Sequence, residues 1–209
     1  MTDLQFYTNP MSRGRIVRWM LEELGEPYEA HIVGWGPALQ GDYRGINPMG
    51  KVPAIRHGET VVTEAAAICT YLAQAFPQAS LVPEPGTKAH GEFLRWMFFA
   101  AGPVEAAVTN KALGVEVPAD KQMMVGYGSL ERVVDTLTGW LDGREWFVGE
   151  TFSAADVYAG SQVAWGLQFG TLPSNRVLET YAERIANRPA AVRAREIDDA
   201  LLEQDGAQS

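Results

Sequence analysis

Apolar positions in this chain repeat with a period of two in short early runs and with a helical period in longer runs after them. Leu4 to Tyr7 is a short strand candidate, stopped by Thr8-Asn9-Pro10. From Ser12 the period changes: Ile16, Met20 and Leu24 form an i, i+4 row with Val17 and Leu21 beside it. That row predicts an amphipathic helix, ended by Gly25 with Pro27 beyond it. Tyr28 to Val33 reads as a second strand, and Gly34 to Gly45 as a long polar loop carrying Trp35, Gln40, Tyr43 and Arg44. The turn signal Asn47-Pro48-Met49-Gly50 leads into Lys51-Val52-Pro53-Ala54-Ile55. Proline has no N–H for a sheet ladder, so Pro53 marks a strand entrance. Thr60 to Thr63 alternates, and Ala65 to Phe76 is helical in period. The helix between the first two strands predicts a parallel pair, and the short link His57-Gly58-Glu59 predicts a hairpin.

Three prolines between Pro77 and Pro85 interrupt both periods, so 79–86 is read as a linker between an α/β domain, 1–78, and a helical domain, 87–209. In the second part Phe93, Met97, Ala101 and Val104 share a face, with Trp96, Phe98 and Phe99 around it. Tyr127, Leu130, Val134, Leu137 and Leu141 predict a second helix of an antiparallel bundle. Phe152-Ser153-Ala154-Ala155-Asp156-Val157 carries a capping box, with Phe152 placed to staple onto Val157. The last helix is expected near Pro189, and Gln204 to Ser209 is expected to fray.

Composition narrows the function. A net charge of -9 repels phosphate backbones, which argues against nucleic acid as the main partner. One cysteine forms no intramolecular disulfide, and no basic-then-apolar leader or membrane-length apolar run appears, so a reducing, cytoplasmic setting is expected. His31, His57 and His90 stand apart without a second ligand at metal spacing, so no metal is expected. Cys69 falls inside an apolar helix and reads as a small core residue.

The chemistry concentrates at two places. With a cis bond before Pro53, Val52 would offer its N–H and C=O to an extended peptide-like ligand. Glu64 precedes a helix start, where unpaired N–H groups and the dipole favour a small carboxylate at Glu64-Ala65-Ala66 while Glu64 takes an ammonium. Asn47-Pro48-x-Gly50-Lys51-Val52-Pro53 followed by Glu64-Ala65 and Ala67-Ile68-x-x-Tyr71-Leu72 resembles the glutathione-binding half of the glutathione S-transferase family, and the capping box resembles that of the family's second domain. The resemblance implies a thioredoxin-like α/β N-terminal domain, an all-α C-terminal bundle and a homodimer. It also implies glutathione as co-substrate with no further cofactor, and a small hydrophobic electrophile as second substrate. Val52, Pro53, Glu64, Ala65, Lys51, Gln40 and Arg13 would bind glutathione, with Arg15 a further cation for its glycyl carboxylate. Ala65 departs from the family's usual Ser, which removes one hydrogen bond to the γ-glutamyl carboxylate.

A thiol needs help to ionise at neutral pH. In the family a Ser, Tyr or Cys after the first strand gives it. Ser12, at the N-terminus of the first helix, is the first candidate, Tyr7 the second and Asn9 the third. Counting from Arg15 puts Met11 at the place of the serine, so the register stays open by a residue. The absence of a cysteine there disfavours the cysteine-using branches. Trp96, Met97, Phe98, Phe99 and Trp165 are candidates for the second-substrate wall or for bundle core. Two other readings stay open: a non-catalytic binding or stress-response protein on the same fold, and a glutathione-dependent isomerase, dehalogenase or peroxidase.

Overall fold

The computed structural model describes residues 3–206, and they divide into two compact units, one formed by the residues up to Ala79 with those from Asn187 onward, the other by Ser80–Ala186. In the first unit the elements are β1 (Leu4–Thr8), α1 (Gly14–Leu24), β2 (Glu29–Ile32), β3 (Ala54–His57), β4 (Thr60–Thr63) and α2 (Ala65–Ala75). The sheet order is β2-β1-β3-β4. β1 and β2 run parallel, while β1/β3 and β3/β4 are antiparallel. This is a small mixed sheet of thioredoxin-like topology, as the resemblance implies.

The period of α1 decides its packing. Ile16, Val17, Met20, Leu21 and Leu24 are all buried, and Gly25 closes the helix in the left-handed region at φ 70°, its N–H donating to Leu21 O at 3.1 Å. Phe6 and Ile55 are fully buried in the sheet, and Ile68, Cys69 and Leu72 are the buried row of α2. Burial pushes the Cys69 thiol up, so it stays a neutral core group.

The loop 34–45 folds into two short 3₁₀ turns, Gly36–Leu39 and Gly41–Gly45. The last helix, α8 (Pro189–Gly206), packs along α1 in the first unit, whereas the sequence boundary places 87–209 together. Complementary charge accounts for this. Arg188 makes a two-pronged bond to Glu23, at 2.7 and 2.8 Å. Arg193 Nε reaches Glu22 at 3.3 Å, and Arg15 reaches Asp199 at 2.7 Å. Gln204 to Gly206, expected to fray, continue the helix, and Ala207 to Ser209 lie outside the described residues.

The second unit is helical: α3 (Lys88–Phe99), α4 (Glu105–Ala112), α5 (Leu130–Leu141), α6 (Ala154–Gln168) and α7 (Arg176–Ala186). A π-turn at Ala100–Val104, containing Pro103, joins α3 to α4. α5 starts three residues later than Tyr127 suggests, because Ser129 caps it by accepting from Arg132 N–H and Tyr127 instead accepts from Asn110 at 2.9 Å. The capping box of α6 forms, with Asp156 accepting from Ser153 N–H at 3.0 Å. Asp156 also accepts from Phe147 N–H and from the Tyr181 hydroxyl, each at 2.8 Å. Phe152 meets Trp146 edge to face.

Candidate ligand site at one end of the sheet

Strand register assembles the site. Tyr7 pairs with Ala54, and Ala54 pairs with Thr63, so the end of β1, the start of β3 and the end of β4 form one row across the sheet. Each strand continues past that row into a candidate segment: Asn9 to Ser12 after β1, Val52-Pro53 before β3, and Glu64-Ala65 after β4. The three segments therefore lie side by side at one sheet end. Two strand spacings of about 4.8 Å separate the outer segments. That roughly 10 Å matches an extended tripeptide.

Glu64 stands at the β4–α2 junction with φ 65° and ψ 116°, a strained conformation for a residue with a side chain. Its side chain is exposed, and no hydrogen bond or ion pair engages it among the described residues. The exposed, unpaired carboxylate is open to a group outside the chain. The N–H groups of Ala65, Ala66 and Ala67 precede the first bond of the helix, given by Ile68 N–H to Glu64 O at 2.8 Å. They form an anion-favouring end beside the Glu64 carboxylate, suited to a ligand that carries an ammonium and a carboxylate on one carbon.

The Val52-Pro53 bond is cis, and Val52 has neither its N–H nor its C=O engaged among the described residues. The preceding carbonyl, Lys51 O, accepts from the Tyr43 hydroxyl and from Asn47 Nδ2, both at 2.7 Å. Tyr43 and Asn47 are named by the sequence only as loop and turn residues, and their shared target is absent from any local pattern. Gly50 has φ 61°, and a Cβ there would stand 2.7 Å from Leu39 O, with Gln40 Nε2 at 3.5 Å and Arg44 Nε at 3.7 Å. The loop thus lies against the turn, bringing Gln40 and Arg44 to Gly50, next to Lys51. Lys51 and Arg13 are exposed; Arg15 Nε donates to Pro10 O at 2.6 Å and its Nη2 to Asp199.

The three sulfur-donor candidates differ in their present bonds. Tyr7 donates to Gln5 Oε1 at 2.8 Å and stacks on His31 at 4.9 Å. Asn9 is buried and engaged at both ends of its amide: Nδ2 donates to Val33 O at 3.0 Å and Oδ1 accepts from Met11 N–H at 2.9 Å. Ser12 is half-buried, donates to Asn9 O at 2.7 Å and accepts from Gly14 N–H at 2.9 Å. Asn9 O also receives Ser12 N–H at 3.1 Å, so the hydroxyl proton can turn to a ligand without leaving that carbonyl bare. Gly14 opens α1 and must be glycine here, since a Cβ would fall 1.9 Å from Thr8 Oγ1. The sequence passes over Thr8, whose hydroxyl is fully buried beneath this junction without a partner among the described residues.

Within the second unit Trp96 and Met97 are core, with Trp96 against Phe99, Trp140 and Phe147. Phe98 is 73% exposed, and Phe99 and Trp165 are half-buried. Among the described residues no group of three or more His, Cys, Asp or Glu side chains is placed to hold a metal, and no helix is long and apolar enough to cross a membrane.

Comparison with known proteins shows the family of the chain. A family model described as the glutathione S-transferase N-terminal domain matches residues 11–75, and one for the C-terminal domain matches residues 116–189. The glutathione S-transferase-like protein gedE of Aspergillus terreus is 31% identical over 70% of this chain and 70% of its own. The disulfide-bond oxidoreductase YfcG of Escherichia coli is 28% identical over 91% of this chain and 94% of its own. A sphingomonad glutathione S-transferase solved with glutathione is 26% identical, with a TM-score of 0.74 over 93% of this chain and 98% of that one.

Proposed function

Since the chain belongs to the glutathione S-transferase family, we propose that it binds glutathione across this sheet end and activates its thiolate for attack on a small hydrophobic electrophile. The γ-glutamyl ammonium meets Glu64 and its carboxylate the first N–H groups of α2. The cysteinyl backbone pairs with Val52, and the glycyl carboxylate meets Lys51, Gln40 and Arg13. The observation that carries this reading is the register row Tyr7, Ala54 and Thr63, which aligns three segments over the length of a tripeptide.

The sulfur then lies toward the β1–α1 junction, where Ser12 turns its proton from Asn9 O to the thiolate. Gly14 N–H, already donating to Ser12 Oγ, strengthens that hydroxyl as a donor. Stabilising the anion lowers the thiol pKa, so the proton leaves to solvent and more thiolate stands ready. Sulfur attacks the electrophilic carbon, a carbon–sulfur bond forms, and the leaving group departs with its electron pair. Holding the partners together supplies the rest of the acceleration. The same resemblance extends the proposal to a cytoplasmic homodimer acting in detoxification.

The likeness to a disulfide-bond oxidoreductase favours one second reading, in which the bound thiolate attacks a disulfide sulfur and expels the other as thiolate. Cys69 is fully buried and burial keeps its thiol protonated, so the attacking sulfur in either reading is glutathione's own. Incubation of the protein with glutathione and an aryl chloride tests the choice. Thioether formation above the uncatalysed rate is expected, and turnover of a glutathione-accessible disulfide alone would contradict the transferase reading.

A further inference from the structure

A trans peptide unit is planar, so its C=O and N–H point in opposite directions. Fixing the carbonyl of the Lys51–Val52 unit therefore fixes the N–H of Val52. That carbonyl takes two hydrogen bonds of 2.7 Å, from Tyr43 Oη and Asn47 Nδ2, which together use both lone pairs of Lys51 O. Both donors are inside the protein: Tyr43 is 8% exposed and Asn47 2%. The carbonyl is thus held inward and the Val52 N–H outward, with no partner among the described residues.

Each donor is itself held for this task. Asn47 Oδ1 accepts from Met49 N–H at 3.0 Å and Asn47 O from Gly50 N–H at 2.8 Å, which close the turn and aim the Asn47 amide at Lys51. Tyr43 is carried by the 3₁₀ turn Gly41–Gly45 and leans on Tyr7 with ring centroids 6.0 Å apart. Burial pushes its phenol up to about 12, so it remains a donor across the whole working pH range.

We propose that Tyr43 and Asn47 are positioning residues for glutathione, acting through Lys51 O to hold the Val52 N–H toward the cysteinyl carbonyl of the ligand. This rests on the function proposed above. Neither residue touches the ligand, and two donors on one oxygen make the arrangement redundant. Loss of one leaves the peptide unit held by the other, whereas loss of both frees it to rotate. The two substitutions are therefore coupled rather than additive.

Tyr43→Phe removes one donor and keeps the ring, and Asn47→Asp removes the other while keeping the acceptor for Met49 N–H. Glutathione binding is measured by calorimetry on the parent, both single variants, the double variant and Glu64→Ala, with the Val52 amide proton followed by NMR. Each single change is expected to raise the glutathione Kd by less than about fivefold, and the double change by more than the product of the two. The loss falls on Kd and on the KM for glutathione rather than on kcat or the pKa of the bound thiol. In the parent the Val52 amide moves downfield on adding glutathione, and in the double variant that movement is lost while the remaining spectrum stays folded. Binding that Glu64→Ala weakens but the double variant leaves unchanged would overturn the clamp and spare the function. Effects of the two variants that simply multiply would also overturn it. A parent that fails to bind glutathione would overturn the function, and the clamp with it.

Discussion

Arg18 and Asp198 face each other at 2.7 Å between α1 and α8, with side-chain exposures of only 2% and 1%. Arg18 also donates to the Tyr28 hydroxyl at 3.1 Å and lies 5.3 Å from the centre of the Phe6 ring. Yet Arg18 Nη2 and Asp198 Oδ2 have no hydrogen-bond partner among the described residues. Such a pair adds little over an apolar pair of the same shape, but losing one member strands a charge. Asp198→Ala is therefore expected to destabilise the protein by about 3–5 kcal/mol in urea unfolding. A loss under about 1 kcal/mol would show that α8 is not held by this pair.

Glu64 carries backbone strain at the proposed binding site. Glycine tolerates φ 65° without a side-chain penalty, and the strain at such a residue is worth about 1–3 kcal/mol. Glu64→Gly is expected to stabilise the fold by roughly 1 kcal/mol while weakening glutathione binding. Parallel thermal unfolding and calorimetry check this. A variant that is less stable than the parent would contradict the strain argument.

The folding motifs were more legible in the sequence than the chemistry. Val52-Pro53, Glu64-Ala65 and the capping box of α6 each depend on residues within a few positions of one another, so local pattern carries them. The sulfur donor does not, because the occupancy of Ser12 and Asn9 is set by a turn that Val33, on another strand, completes through Asn9 Nδ2. The clamp on Lys51 O escapes local reading for the same reason, since Tyr43 sits in a polar loop without periodicity. Nor does the docking of α8 show in its own sequence. Arg188 and Arg193 meet Glu23 and Glu22 of α1, which lie 165 and 171 residues away along the chain.

Asp156 offers a test by pH. Burial pushes its carboxyl up to about 6, against donors from Phe147, Tyr181 and Ser153 that pull it down. Between its unfolded value of about 3.9 and the folded one, the folded state binds more protons, so stability falls as pH rises through that window. Relative to Asp156→Asn, the parent is expected to lose about 2 kcal/mol between pH 4 and pH 6. Denaturant titrations of both proteins across that range measure it, and a parent that gains on the variant with rising pH would contradict the assignment.

Ala65 is buried at the head of α2, where a hydroxyl would meet the γ-glutamyl carboxylate. Ala65→Ser should tighten glutathione binding by about tenfold, the equivalent of one hydrogen bond to a charged group. Unchanged or weaker binding would mean that the carboxylate does not lie at this helix start.

For the sulfur end, Ser12→Ala should raise the pKa of bound glutathione by about one unit, since one donor to the anion is lost. Tyr7→Phe should raise it less, because the phenol is engaged with Gln5. Titration of thiolate absorbance on both variants reads the shifts directly. A larger shift for Tyr7→Phe would reverse the assignment.

The claim on which the rest depends is that glutathione spans the sheet end with its γ-glutamyl group at Glu64. Calorimetric titration of glutathione into the parent and into Glu64→Ala measures this without reference to turnover or to the second substrate. The account predicts saturable binding to the parent and a Kd at least tenfold higher, about 1.4 kcal/mol, for the variant. Equal binding by the two proteins would contradict it.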